Sequence, residues 1–152
     1  RSVIAVDTNV LIYADMASST DARHELALAL LEKLSLINCC IPLQVLGEFL
    51  NVSQRKQLLS PAKAIMRVNS YAALFTTPVT LLADLVDAGR LSTDHRLQYF
   101  DAVIVTVARR AGATMLLSED MQDGLSIDGL TIVNPFVAAN EALLADWFGS
   151  GV

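Results

Sequence analysis

Cysteine and histidine are scarce in this sequence of 152 residues: Cys39 and Cys40 are adjacent and alone, and the only histidines are His24 and His95. Two neighbouring cysteines make neither a disulfide framework nor a C-x-x-C redox or zinc pair, and the histidines lack any ligand spacing. No zinc site or disulfide scaffold is expected. Buried free thiols suit a reducing compartment, so the cytoplasm is the expected location. Lysine is nearly as sparse, occurring only at 33, 56 and 63. Long apolar runs are missing as well. Glu32 and Lys33 interrupt "LALALLEKLSLI", and Arg109 and Arg110 close "AVIVTVA", so no stretch approaches the roughly 20 residues that a membrane span needs. No signal peptide of the usual form is expected.

What is present is apolar. The hydrophobic fraction is 53% against 18% charged, a balance that argues for a packed core and against disorder. A chain of this size buries roughly 68–70% of its unfolded surface, and residues 1–152 read as a single domain. The net charge of −5 argues against a strongly basic nucleic-acid binder. Its distribution is uneven. No acid occurs between Glu48 and Asp84, where Arg55, Lys56, Lys63 and Arg67 all fall, whereas Asp84 to Asp146 holds ten acids. Either a basic shoulder or an ordinary solvated helix face accounts for this.

"VIAV" (Val3–Val6) reads as a short buried strand, β-branched and unalternated. "TNVLIYA" turns helical after it. Thr20–Ile37 reads as an amphipathic helix, capped by Thr20 or Asp21, with Leu26, Leu30, Leu31 and Leu34 on one face. "CCIPL" (Cys39–Leu43) is a second strand, and Gln44–Leu59 is helical. Ser60 caps a helix with Pro61 at its first position that runs to about Phe75. "TPVTL" (Thr77–Leu81) reads as a strand and Leu82–Leu91 as a helix ending near Gly89. Tyr99–Ala111 is a strongly apolar helix closed by Gly112. Thr114–Leu117 and Leu130–Asn134 are strands, and Val137–Phe148 is a final helix. Strands alternating with helices predict an α/β fold, three-layer α/β/α with a mainly parallel central sheet.

In such sheets ligands collect beyond the carboxyl ends of the strands. Asp7 follows the first strand and Ser118-Glu119-Asp120 follows "TMLL", so both fall at that rim. Helix capping would also explain Asp7. Glu48 lies on the edge of an apolar arc formed by Val45, Phe49 and Val52, where it could snorkel to water. Asp101 shares a face with Ile104, Val105 and Ala108 if the helix includes it, and caps the helix if not. No Arg or Lys stands within four residues of Asp7, Glu48 or Asp101. Acids that converge without cations are unfavourable unless a metal ion lies among them, and an oxygen-only set suits Mg²⁺ or Mn²⁺. A phosphoaspartyl reading also begins with an Asp after the first strand. It needs a second Asp where Asn9 stands, and a Lys after a late strand, which the chain lacks.

These residues resemble the PIN-domain ribonucleases, and within them the VapC-like toxins of bacterial toxin–antitoxin pairs. The likeness rests on "VDTNVLIYA", "QVLGEFLNV", "YFDAVIVTVARRAGATMLLSEDMQDG" and "LTIVNPF", in the family's order and over nearly the whole chain. The resemblance implies that Asp7, Glu48 and Asp101 are metal-binding acids, with Asp120 as a fourth, and that Asn9 and Ser118 support them through hydrogen bonds. The segment "LSEDMQDG" departs from the commoner family form, which leaves Glu119 and Asp123 as alternatives to Asp120. The implied activity is Mg²⁺- or Mn²⁺-dependent cleavage of RNA. Arg55, Lys56, Lys63 and Arg67 become a candidate track for RNA phosphate. A cognate antitoxin and a homodimer built through helical faces in Gln44–Phe75 are the implied partners. A PIN-like fold that only binds RNA or protein is the alternative.

Overall fold

The computed structural model describes residues 2–16 and 20–150. Strand β1 (Val3–Val6) has Ile4, Ala5 and Val6 at 0% exposure, as an unalternated apolar run has in a sheet covered on both faces. The chain leaves it at Asp7 and enters α1 (Thr8–Met16), then α2 (Ala22–Leu34). Next come β2 (Cys39–Cys40), α3 (Leu43–Lys56), α4 (Pro61–Leu74), α5 (Leu82–His95) and α6 (Tyr99–Arg110). Strands β3 (Ala113–Leu117), β4 (Ser126–Ile127) and β5 (Leu130–Val133) follow, and a 3-10 turn at Ala138–Asn140 leads into α7 (Glu141–Ser150).

The sheet has the order β2-β1-β3-β5-β4, and every pairing is parallel except β4 with β5. Helix α1 packs on α2 and α3, and α3 on α4, while α6 packs on α5 and β3. This is the expected α/β architecture with a mainly parallel central sheet. Helix α6 is buried continuously from Ala102 to Ala108, which marks it as an interior helix rather than a surface amphipath. Parallel register brings the strand ends to one rim. Val6 pairs with Leu117 and Leu117 with Val133, so the residues that follow, Asp7, Ser118 and Asn134, emerge side by side. The Asp7 N–H donates to the Leu117 carbonyl and the Ser118 N–H to that of Val133, both at 3.0 Å.

Several local expectations change. Residues 77–81 do not form a strand. The segment runs beside β2 only as far as a bridge between Cys40 and Thr76, with the Ile41 N–H donating to the Thr76 carbonyl and the Leu43 N–H to that of Pro78. Pro78 has no N–H to return, and Val79 and Leu81 stay exposed. Strand β2 stops short of Leu43 because Pro42 is the N-cap of α3. The second helix is capped by Asp21, and Ala27, Leu30 and Leu34 form its buried face while Leu26 is 40% exposed. Gly89 does not end α5, which continues to His95 and stops where Arg96 turns left-handed at φ 53°. Strand β4 was not expected. Its turn is Asp128-Gly129, both with positive φ, 45° and 89°, and an Asp-Gly pair is the sequence signal for such a hairpin.

Among the described residues no helix is long and apolar enough to cross a membrane. Phe49 is the largest fully buried side chain, and its ring meets Tyr71 of α4 edge-on at 5.8 Å. Phe49→Ala should cost about 3–5 kcal/mol, read as a lower midpoint in urea denaturation. A loss below about 1 kcal/mol would show that this part of the core collapses around the gap.

Candidate active site

Asp7 is 5% exposed at the mouth of the sheet. Its Oδ1 accepts the Thr8 N–H at 2.7 Å and its Oδ2 accepts the Ser118 hydroxyl at 2.8 Å. Ser118 is fully buried, and its Oγ also accepts the Met121 N–H at 3.3 Å. One hydroxyl thus ties the loop after β3 to the carboxylate after β1. Burial pushes the Asp7 carboxyl from 3.8 up to about 6, against the pull of the Ser118 and Thr8 donors and with help from the charges of Asp101 and Glu48.

Glu48 lies on the second turn of α3, half-buried. Its Oε2 accepts the Thr8 hydroxyl at 2.7 Å and its Oε1 accepts Gln44 Nε2 at 3.1 Å. Gln44 Nε2 also donates to the carbonyl of Phe100 at 3.2 Å. Phe100 immediately precedes Asp101 in the first turn of α6. The cap of that helix is Gln98, whose side-chain oxygen accepts the Asp101 N–H at 3.0 Å. Capping therefore does not occupy the Asp101 carboxylate. Burial raises its pKa first, and the charges of Glu48 and Asp120 raise it further.

The three acids of "SEDMQD" separate cleanly. Glu119 accepts from the Tyr13 hydroxyl and from Arg23, the latter at 3.2 Å. Asp123 accepts the Asn134 N–H at 2.9 Å and the Asn140 amide at 3.0 and 3.1 Å. Both are engaged in holding the chain. Asp120 is exposed, and its charge reaches Asp101. Asn9 is half-buried in the first turn of α1, and among the described residues its side chain makes no hydrogen bond to Asp7, Glu48 or Asp101. Thr8, its neighbour, makes the contact to Glu48 instead.

Thr8 and Gln44 are absent from the sequence-predicted site. Gln44 carried a signal: it stands four residues before Glu48 on one helix, a spacing that puts an amide beside a carboxylate. Thr8 carried none beyond adjacency to Asp7.

Ion pairs among the described residues take up Asp15, Asp21, Asp84, Asp87, Glu119 and Asp128. None reaches Asp7, Glu48, Asp101 or Asp120. No three His, Cys, Asp or Glu side chains among the described residues are gathered closely enough to enclose a metal ion. The four acids instead share a field, since each appears as a cause in another's shifted pKa or carries such a shift itself. Their oxygen-only chemistry fits Mg²⁺ or Mn²⁺, which take few protein carboxylates and keep waters.

The basic residues sit on α3 and α4. Arg55 and Lys56 are exposed in the last turn of α3, and Lys63 is exposed in the first turn of α4. Arg67 Nε pairs with Asp15 Oδ1 at 3.2 Å, and the Tyr71 hydroxyl donates to the same carboxylate. Arg67 is thereby tied to α1, about 10 Å along that helix from Thr8.

No curated protein matches this chain in sequence. Among solved structures, the chain is similar to VapC20 of Mycobacterium tuberculosis, a sarcin–ricin loop cleaving toxin, with 20% identity and a TM-score of 0.63 over 77% of this chain and 89% of that one. A toxin–antitoxin complex from Klebsiella pneumoniae is 19% identical with a TM-score of 0.62, over 90% of this chain and 98% of that one. FitAcB from Neisseria gonorrhoeae is 16% identical with a TM-score of 0.58, over 88% and 98%. At these identities the likeness establishes the fold. The sequence itself matches the PIN domain profile over residues 4–122, a span that takes in β1, the acid-bearing helices α3 and α6, and the loop carrying Asp120. The chain belongs to the PIN domain family.

Proposed function

We propose that this chain is a Mg²⁺- or Mn²⁺-dependent endoribonuclease and the toxin of a bacterial toxin–antitoxin pair. The observation that carries the proposal is a group of four acids, Asp7, Glu48, Asp101 and Asp120, at the carboxyl rim of a parallel sheet. Burial raises the pKa of Asp7 and of Asp101; the charges of Asp101 and Glu48 add to the first, and those of Glu48 and Asp120 to the second. Among the described residues no cationic side chain pairs with any of the four. Asp7 and Asp101 would hold the ion, with Glu48 completing the set or orienting a water, and Asp120 would assist a second ion. A divalent ion held there supplies charge stabilisation at a phosphoryl oxygen and a water acidic enough to attack near neutral pH.

The protein's own contribution is orientation. Ser118 and the Thr8 N–H fix the two oxygens of Asp7. The Thr8 hydroxyl and Gln44 do the same for Glu48. Gln98 fixes the backbone of Asp101 and leaves its carboxylate uncapped, within reach of the charges of Glu48 and Asp120. RNA is the substrate this arrangement serves, its phosphates guided by Arg55, Lys56 and Lys63; Arg67, already paired with Asp15, contributes less. A cognate antitoxin covers the acidic rim. A second copy of the chain packs on α4, where Ile65, Met66 and Leu74 are 56%, 55% and 64% exposed.

RNA cleavage should require Mg²⁺ or Mn²⁺, stop with EDTA, and fall about 10³-fold in Asp7→Asn or Asp101→Asn, the equivalent of several kcal/mol of lost charge stabilisation. Cleavage that survives both chelation and substitution would end the proposal. RNA binding without any cleavage would leave a binding module.

The same substitution has an opposite effect on stability. The folded pKa of Asp7 lies above its unfolded value of 3.8, so its favourable contribution is complete below 3.8 and lost as the pH rises through about 6. At neutral pH the ionised group leaves the metal-free fold about 3 kcal/mol weaker than a neutral one would. Asp7→Asn should therefore raise the unfolding free energy in EDTA at pH 7 by up to that amount, seen as a higher denaturation midpoint, with the gain shrinking towards pH 4. An unchanged or lower midpoint at pH 7 contradicts the buried-charge account.

Replacing Lys56 and Lys63 by Gln should weaken RNA binding and reduce the log–log salt slope by about 0.7 for each charge in contact with single-stranded RNA. Mn²⁺ affinity should not move. An unaltered slope assigns these lysines to ordinary surface.

A further inference from the structure

The two helices that carry Glu48 and Asp101 belong to different packing groups: α3 lies on α1 and α4, and α6 lies on α5 and β3. Their acids must nonetheless keep a set separation if they are to act on one ion, as the reading above requires. Gln44 spans that gap. Its single amide nitrogen has two hydrogens, and the geometry uses both: one towards Glu48 Oε1 at 3.1 Å and one towards the Phe100 carbonyl at 3.2 Å. The second acceptor is main chain, one residue before Asp101. It moves with the first turn of α6, which is itself fixed by the Gln98 cap on the Asp101 N–H. The Glu48 carboxylate is held on its other oxygen by Thr8 from α1. Gln44 thus sets both the rotation of the Glu48 carboxylate and its distance from the backbone that carries Asp101. It does so without adding charge, which leaves the pull of both acids on a cation intact.

We infer that Gln44 is a positioning residue, a neutral bridge that couples the acids of α3 and α6 into one ligand set. This rests on the metal-site reading, and the experiment separates the two. Gln44→Met keeps the length and volume of the side chain and removes both donors. Loss of such an outer hydrogen bond costs about 10–100-fold in metal affinity or activity. Calorimetric titration without RNA should therefore give a Mn²⁺ Kd about tenfold higher for Gln44→Met than for wild type. The kcat should fall to a similar degree with KM for RNA unchanged, and the midpoint of thermal unfolding in EDTA should stay where it is. Gln44→Asn keeps the amide but is a methylene too short for both acceptors, and should behave as Gln44→Met does. Gln54→Met, on the exposed end of the same helix, should match wild type throughout. Wild-type Mn²⁺ affinity in either Gln44 variant would overturn the bridge while leaving the metal site standing. A wild-type chain that binds no Mn²⁺ would remove the metal site and the bridge together.

Discussion

The hydrogen bond between Ser118 and Asp7 is the constraint on which the site turns. It joins the residues that follow two adjacent parallel strands, and it exists only because Val6 is in register with Leu117. Side chains alternate between faces along a strand, so a slip of one residue would turn the rim residues away from each other. Strand β1 is held from both sides, by β2 and by β3, and its side chains are buried on both faces. Apolar packing therefore fixes where Asp7 emerges, and the hydroxyl of Ser118 fixes how it points.

Two aspartates show what that placement means electrostatically. Asp7 and Asp84 are both nearly inaccessible, at 5% and 2% exposure. Burial pushes both carboxyls up. In Asp84 the Arg110 guanidinium and the Leu81 N–H outweigh it and hold the pKa below the ordinary value. Asp7 has hydrogen bonds but no cation among the described residues, and its pKa rises to about 6. Asp84 thus fastens the start of α5 to the end of α6, a structural role complete in itself. Asp7 is left with an unfavourable charge that only something outside the chain can offset. That asymmetry separates an acid neutralised by a partner within the fold from one left without such a partner, the kind of perturbed group that marks functional sites.

Much of this was legible in the residues. The apolar run before Asp7, the helical arcs around Glu48 and Asp101, and the acids after "TMLL" all fall where patterning put them, because burial and strand termini follow from hydrophobic period. The choice among Glu119, Asp120 and Asp123 was not legible. Three acids within five residues differ only in partners far away in sequence: Arg23 and Tyr13 for Glu119, Asn134 and Asn140 for Asp123. The expected strand at 77–81 failed because β-branched composition does not say whether a neighbour is available, and Pro78 interrupts the ladder. The hairpin of β4 was readable from Asp128-Gly129 and was missed because its strand is two residues long. Gln44 and Thr8 went unremarked because neutral donors carry no charge signature.

That neutrality is itself an argument about design. The groups that hold the carboxylates of Asp7 and Glu48 are a serine hydroxyl, a threonine hydroxyl and N–H, and a glutamine amide. Lysine or arginine in those places would hold the acids more strongly, since hydrogen bonds to charged donors are roughly twice as strong. They would also cancel the negative field of these acids. The guanidinium of Arg23 is shared between Asp21 and Glu119. The site thus gains orientation from dipoles and keeps its negative charge uncompensated. The burial that raises the pKa of Asp7 is the cost of that arrangement, and it falls on the residue whose geometry the sheet controls most tightly.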